Sequence, residues 1–422
     1  MDILFAPRKI KEVNIIASKS FVHRTMIALA LSKGYGELMV GTVSKDMQAT
    51  ANVLNALGYS VRTENNKIIV MPENIHVDKP SINCGESGST ARFMISVAAA
   101  LYDEYFITGE GSLLNRPFKE LIDCLKEKGI EFDSDNMLPF NVKGSLIPGT
   151  YTIPGNISSQ YITGLLLALP LLREQSYINV LPPVESVDYI EITLSVLNDF
   201  GINITKENLP DGGIIYSIPS DCRYIAPRKV SAEGDWSNAA FFLTMGALLE
   251  EGIMVKGLNP YSLQGDRQIV EILKQYGAIA NVSDDCVLVK KGKLQAVELD
   301  ISPIPDLAPV ICVLACFAEG ETILRNAERL RIKESDRILS TKQLVEKTGG
   351  LLRTEERDGH TDIYVKATER PDNNKQIVID SFNDHRIVMS AAVAALGLNR
   401  PVLIKTAEAV NKSYPGFFDV FN

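Results

Sequence analysis

Five helical stretches of this sequence run into a glycine at nearly even intervals. Residues 47–57, 118–128, 189–200, 267–276 and 338–348 have helical patterning, and they stop at Gly58, Gly129, Gly201, Gly277 and Gly349 or Gly350. Glycine tolerates the left-handed backbone that commonly closes a helix. The stops lie 71, 72, 76 and 73 residues apart. A second series of helices starts near Ser20, Ser89, Ser158, Asp235, Asp306 and Asp384, at spacings of 69, 69, 77, 71 and 78 residues. A unit of about 70 residues used six times accounts for the whole chain, with strand-like stretches such as 67–71 and 82–84 between the helices. The expected class is α/β, with parallel pairing left open. A Pro- and Arg-containing stretch at 223–230, followed by Ser231-Ala232-Glu233-Gly234-Asp235, reads as a crossing after the third unit. Two similar lobes are expected, one of residues 17–230 and one of residues 1–16 with 231–422.

Charge and composition exclude several functions. The chain carries 43 Lys and Arg against 52 Asp and Glu, a net charge of −9 that disfavours nucleic-acid partners. Its apolar runs near 162–172 and 307–318 are too short to span a bilayer, and Pro170 and Pro309 interrupt them. Met1-Asp2-Ile3-Leu4 has no secretory signature, so a cytoplasmic protein is expected. The six cysteines lack a framework spacing and read as structural thiols; Cys312 and Cys316, four apart, read as one face of a buried helix. Four histidines and no Cys-x-x-C or His-Glu-x-x-His leave a zinc site without support.

The helix starts are rich in polar groups. Helix N-termini present unpaired N–H groups and partial positive charge, so they suit anions. Ser18-Lys19-Ser20 with His23 and Arg24, Gly85-Glu86-Ser87-Gly88-Ser89-Thr90, and Ser158-Ser159-Gln160 open helices in the first half. Ordinary capping explains each one singly; the repeat makes their joint occurrence suggestive. Gly85–Thr90 lacks the Gly-Lys-[Ser/Thr] of a phosphate loop, which argues against a nucleotide triphosphatase. In the second half, Pro305-Asp306, Lys333-Glu334-Ser335-Asp336-Arg337 and Asn383-Asp384-His385-Arg386 open helices. A helix starting at Lys333 would put Lys333 and Arg337 on one face.

At these residues, together with Asn115-Arg116-Pro117, the whole chain resembles the enolpyruvyl transferase family, in the branch that acts on shikimate 3-phosphate. The resemblance implies a two-lobed fold, each lobe three βαβαββ units in an inside-out α/β barrel with helix N-termini directed at an interlobe cleft. It implies transfer of the enolpyruvyl group of phosphoenolpyruvate to the 5-hydroxyl of shikimate 3-phosphate, with release of phosphate, no metal and no organic cofactor. By motif position, shikimate 3-phosphate would be bound by Lys19, Ser20, Arg24, Ser158, Ser159, Gln160, Ser186, Tyr189, Asp306 and Lys333. Phosphoenolpyruvate would be held by Lys19, Gly88, Arg116, Gln160, Arg337, Arg386 and Lys412. Asp306 is the expected base for the 5-hydroxyl, Glu334 the proton donor to the methylene carbon, and Lys19 the group that assists departing phosphate. Lobe closure on the first substrate and action as a monomer are expected.

Glu86 and Arg329 stand where many family members have Asn, and Phe93 where Pro is common. Glu86 would add negative charge near phosphoenolpyruvate, so its side chain is expected to point away. Gly88 leaves room for the family inhibitor glyphosate, and sensitivity is expected. The alternatives are the sister transferase acting on UDP-N-acetylglucosamine, an RNA-processing relative, and a noncatalytic anion binder. The sister family opens with Lys-Asn and uses a loop cysteine; here Ser20 follows Lys19 and residues 114–119 contain no Cys. Basic–aromatic strips are absent, and a mere binder would not need both Asp306 and Glu334.

Overall fold

The computed structural model describes residues 1–422 apart from Lys9 and Asn373. It divides into two compact units, Lys19–Ala232, and Met1–Ser18 with Glu233–Asn422.

The Lys19–Ala232 unit contains helices α1 (Lys19–Ser32), α2 (Lys45–Ala56), α3 (Gly88–Leu101), α4 (Lys119–Lys126), α5 (Ser159–Ala168) and α6 (Val187–Asp199). Its second repeat runs strand Ser81–Asn83, α3, strand Glu104–Thr108, α4, then strands Glu131–Phe132 and Phe140–Lys143. The first two strands pair parallel, the others antiparallel, in the order first, second, fourth, third. The third repeat copies this arrangement with strands Thr150–Pro154, Ser176–Leu181, Thr205–Asn208 and Ile214–Ile218. The first repeat has a three-stranded sheet.

Burial explains the layering. On α3, Phe93, Met94, Ile95, Val97, Ala98 and Ala99 are all buried, so the helix is apolar around its circumference and belongs inside. Strands Gly36–Met39 and Phe140–Lys143 alternate buried and exposed residues, the pattern of a sheet with one wet face. Helices therefore form the interior and sheets the outside.

The second unit contains α7 (Trp236–Ala247), α8 (Ile269–Gln275), α9 (Ala308–Ala315), α10 (Arg337–Thr348) and α11 (His385–Leu398). The fifth repeat is complete, with strands Glu298–Asp300, Glu321–Arg325, Gly350–Arg357 and His360–Ala367 in the same order. The fourth and sixth are finished by the N-terminal residues. Glu12–Asn14 pairs parallel with Ile253–Lys256, and Ile3–Phe5 pairs antiparallel with Val402–Lys405. Phe5 also joins Phe242, Tyr414, Phe417 and Phe421 in an aromatic cluster. Cys312 and Cys316 are buried thiols on α9 and its cap. No described helix is long and apolar enough to cross a membrane.

The five helix stops adopt positive φ at Gly58, Gly129, Gly201, Gly277 and Gly349 (+85°, +85°, +79°, +94° and +88°). Of the last pair, Gly349 closes the helix and Gly350 opens the next strand. The condition that would put Lys333 on one helical face with Arg337 is not met. Lys333 has extended backbone (φ −84°, ψ −157°), and α10 starts only at Arg337. Asp336 accepts from the N–H groups of Ile338 and Leu339 at 3.0 and 3.2 Å, making it the cap. Lys333 and Arg337 therefore do not share a helical face.

Candidate active site

In the Lys19–Ala232 unit the polar residues gather at the starts of α1, α3 and α5. Ser87 caps α3 by accepting from Thr90 N, and Ser158 caps α5 by accepting from Gln160 N at 3.3 Å. Gly88 is buried at the first turn of α3. A Cβ built there would lie 2.5 Å from Arg116 Nη1 and 3.0 Å from Arg92 Nη1. The missing side chain is what lets two guanidinium groups approach the N-terminus of α3. Arg92 donates to Gln160 Oε1 at 2.8 Å, and Gln160 Nε2 donates to Ser89 Oγ at 2.7 Å, tying α3 to α5. Arg92 lies near the rings of Phe118 and Tyr161, with centroids 5.5 and 5.7 Å away. Sequence reasoning passed over Arg92, although its four-residue spacing from Gly88 puts both on one helix face.

Lys19 Nζ pairs with Asp46 Oδ2 on α2 at 2.8 Å, a partner no local pattern announces. Arg24 is 2 % exposed. It donates to Thr193 Oγ1 at 2.7 Å, to Ser20 O at 2.8 Å, and to Tyr189 O at 3.0 Å. Burial lowers its pKa to about 9. Arg24 thus links Ser20 on α1 with Tyr189 on α6 through their backbone carbonyls. Ser186 sits in a left-handed turn (φ +53°) just before α6, and its carbonyl accepts from Tyr189 N at 3.2 Å. Ser159 is buried at the first turn of α5. The Glu86 carboxylate lies against the backbone of Gly111, where a Cβ would meet its Oε1.

In the second unit, charged groups converge on Asp306, at the single 3-10 turn Pro305–Leu307. Arg337 Nη1 donates to Asp306 Oδ1 at 2.6 Å, Nη2 to Glu334 Oε2 at 2.6 Å, and Nε to Asp384 Oδ2 at 2.8 Å. Arg386 Nη2 reaches Asp306 Oδ2 at 3.3 Å, and Lys333 Nζ lies 3.9 Å from Oδ1. Lys412 Nζ donates to Asn383 O at 2.8 Å, at the start of α11. Burial would raise the pKa of Asp306, but Arg386, Lys333 and Arg337 outweigh it and hold the carboxyl well below the usual range. Burial lowers Lys333 to about 8, against the opposing pull of Asp306. Burial likewise opposes the charge on Arg337, yet Asp384, Glu334 and Asp306 keep it firmly protonated. Asp384 caps α11 by accepting from Arg386 N at 2.9 Å, so one carboxylate orders both arginines.

The family model for EPSP synthase (3-phosphoshikimate 1-carboxyvinyltransferase) matches residues 7–421. The chain belongs to the EPSP synthase family. The 3-phosphoshikimate 1-carboxyvinyltransferase of Clostridium kluyveri is 38 % identical, over 98 % of this chain and 95 % of the relative. That of Methanocorpusculum labreanum is 34 % identical, over 95 % and 92 %. Among solved structures, EPSP synthase from Acinetobacter baumannii aligns with a TM-score of 0.75 at 22 % identity, covering 99 % of this chain and 96 % of that one. The enolpyruvyl transferase NikO from Streptomyces tendae aligns with a TM-score of 0.74 at 14 % identity, covering 100 % and 96 %. These two likenesses bear on the fold, and they agree with the two-unit EPSP synthase architecture described above.

Proposed function

We propose that this chain carries out the family reaction through the two clusters just described. The activity is that of a 3-phosphoshikimate 1-carboxyvinyltransferase of the shikimate pathway, which supplies aromatic amino acids. Shikimate 3-phosphate is assigned to Lys19, Ser20, Arg24, Ser158, Ser159, Gln160, Ser186, Tyr189, Asp306 and Lys333, with Arg24 also holding the backbone of Ser20 and Tyr189. Phosphoenolpyruvate is assigned to Lys19, Gly88, Arg116, Gln160, Arg337, Arg386 and Lys412. The chain acts as a cytoplasmic monomer on these small anions, and its net charge of −9 disfavours polyanionic partners.

The observation that carries the residue roles is the convergence of Arg337, Arg386 and Lys333 on Asp306 beside Glu334. Asp306 occupies cations that suit a substrate carboxylate or phosphate. When phosphoenolpyruvate takes over Arg386 and Arg337, Asp306 loses the contacts that depress its basicity. It then accepts the 5-hydroxyl proton as that oxygen bonds to C2 of phosphoenolpyruvate. Glu334 gives a proton to the methylene carbon, which yields a tetrahedral intermediate. The C2–O bond to phosphate then breaks with a proton from Lys19, and Glu334 recovers a proton from the new methyl group. Tying the base to donor binding suppresses proton transfer before both substrates are present.

Phosphate release is measured with both substrates and with each omitted in turn; release is expected only with both. Asp306→Ala is expected to weaken shikimate 3-phosphate binding by calorimetry far less than it lowers turnover, which should fall about 10²–10⁴-fold. Full turnover by that variant removes Asp306 as the base.

A further inference from the structure

A line of buried polar groups crosses the Lys19–Ala232 unit from α1 to the start of α3. His23 Nδ1 lies 2.7 Å from Thr50 Oγ1 on α2, and Thr50 Oγ1 lies 2.6 Å from Thr90 Oγ1 on α3. Thr90 Oγ1 donates to Ser87 Oγ at 2.7 Å, and Ser87 is the residue that caps α3. All four residues are essentially inaccessible to solvent.

The proton positions follow by working backwards. A hydroxyl carries one proton. Thr90 gives its proton to Ser87, so Thr50 must be the donor in the Thr50–Thr90 pair. Thr50 can then only accept from His23, which puts the imidazole proton on Nδ1. Burial first, then the charges of Lys19 and Arg24, hold His23 well below its ordinary pKa, so the ring is neutral and Nε2 is bare. Nε2 makes no hydrogen bond among the described residues. The polar work of this ring is therefore done by Nδ1–H alone.

We propose that His23 is a positioning residue whose Nδ1–H heads a one-way chain through Thr50 and Thr90 to Ser87, fixing the first turn of α3 at Gly88. Arg116 lies against that turn. The inference rests on the reading that this end of α3 receives phosphoenolpyruvate. The opposite tautomer would set two lone pairs against each other in the chain, and an apolar side chain would leave the Thr50 oxygen without its donor. Either change frees the α3 terminus to shift relative to Arg116.

The test combines kinetics on His23→Leu, His23→Asn and Arg116→Ala with long-range ¹H–¹⁵N NMR of the unaltered protein. Leucine removes the donor; asparagine keeps an N–H the same number of bonds from Cβ. His23→Leu is expected to raise KM for phosphoenolpyruvate about five- to ten-fold, the effect of one net hydrogen bond. KM for shikimate 3-phosphate should move by less than about two-fold, and His23→Asn should restore most of the loss. The NMR should show the Nδ1–H tautomer of His23, whether or not the leucine variant folds. An Nε2–H tautomer overturns the proposal. So does an unchanged KM for phosphoenolpyruvate in His23→Leu while Arg116→Ala raises it, or an equal rise for both substrates. If Arg116→Ala itself leaves that KM alone, the site reading fails, and the NMR still decides the direction of the chain.

Discussion

Replacing Arg337 with methionine removes one cation from among three carboxylates. Arg337 is 1 % exposed and Asp384 is fully buried, while Asp306 and Glu334 keep 21 % and 24 % of their side-chain surface open. The two partly open carboxylates can turn to water, so each contributes at most about 1 kcal/mol. Asp384 cannot, and orphaning a buried charge costs about 3–5 kcal/mol. The loss is therefore dominated by Asp384. For a unit of this size it corresponds to a drop of roughly 6–20 °C in thermal midpoint. Calorimetry on the unaltered protein and the variant reads the change directly. Arg337→Met combined with Asp384→Asn should recover much of it, because Asn keeps an oxygen for Arg386 N–H and carries no charge. A loss under about 1 kcal/mol in the single variant, or a double variant as unstable as the two singles summed, would refute the reasoning.

Gly88→Ala drives a methyl into Arg116, 2.5 Å from Nη1 and with Arg92 closing the other side. KM for phosphoenolpyruvate should rise about ten-fold or more, the scale of one misplaced charge-assisted hydrogen bond, and an unchanged value in steady-state kinetics speaks against the assigned pocket. Asp266 offers a test by pH. Burial, with Asp306 adding to it against Arg386 and a hydrogen bond from Ser237, raises its carboxyl to about 6. The folded state thus holds a proton that the unfolded chain has released, so stability falls as pH rises from the ordinary Asp range to about 6. Relative to Asp266→Asn, denaturant melts from pH 4 to 7 should show the unaltered protein losing up to about 1.4 kcal/mol per pH unit. A constant difference across that range contradicts the assignment. Thr193→Val takes the acceptor from buried Arg24 Nε. It should cost about 1–3 kcal/mol in urea unfolding, and a neutral result would mean that Arg24 finds another partner.

Local chemistry made much of this legible in the chain itself. Glycine at Gly58, Gly129, Gly201 and Gly277 could be read as stops because the left-handed conformation belongs to the residue, whatever surrounds it. Asp384 could be read as a cap for the same reason, since the N–H that donates to it lies two residues along. The helix at 338–348 was legible as well, because Asp336 caps it from just upstream and leaves Lys333 outside. The cation cluster was visible only as separate charged strings, because nothing in their spacing fixes which carboxylate each arginine meets.

Periodicity and helix-end chemistry, properties of neighbouring residues, determine by themselves the six repeats, their order and the polar character of their helix starts. Only the tertiary structure decides that Glu12–Asn14 and Ile3–Phe5 complete sheets whose other strands lie hundreds of positions away. It alone pairs Lys19 with Asp46, buries Arg24, and gathers Arg337, Arg386 and Lys333 on Asp306. The physical reason is range. Capping and backbone preference act within a turn of chain, whereas strand completion, burial and ion pairing depend on which distant segments packing brings within a few ångströms.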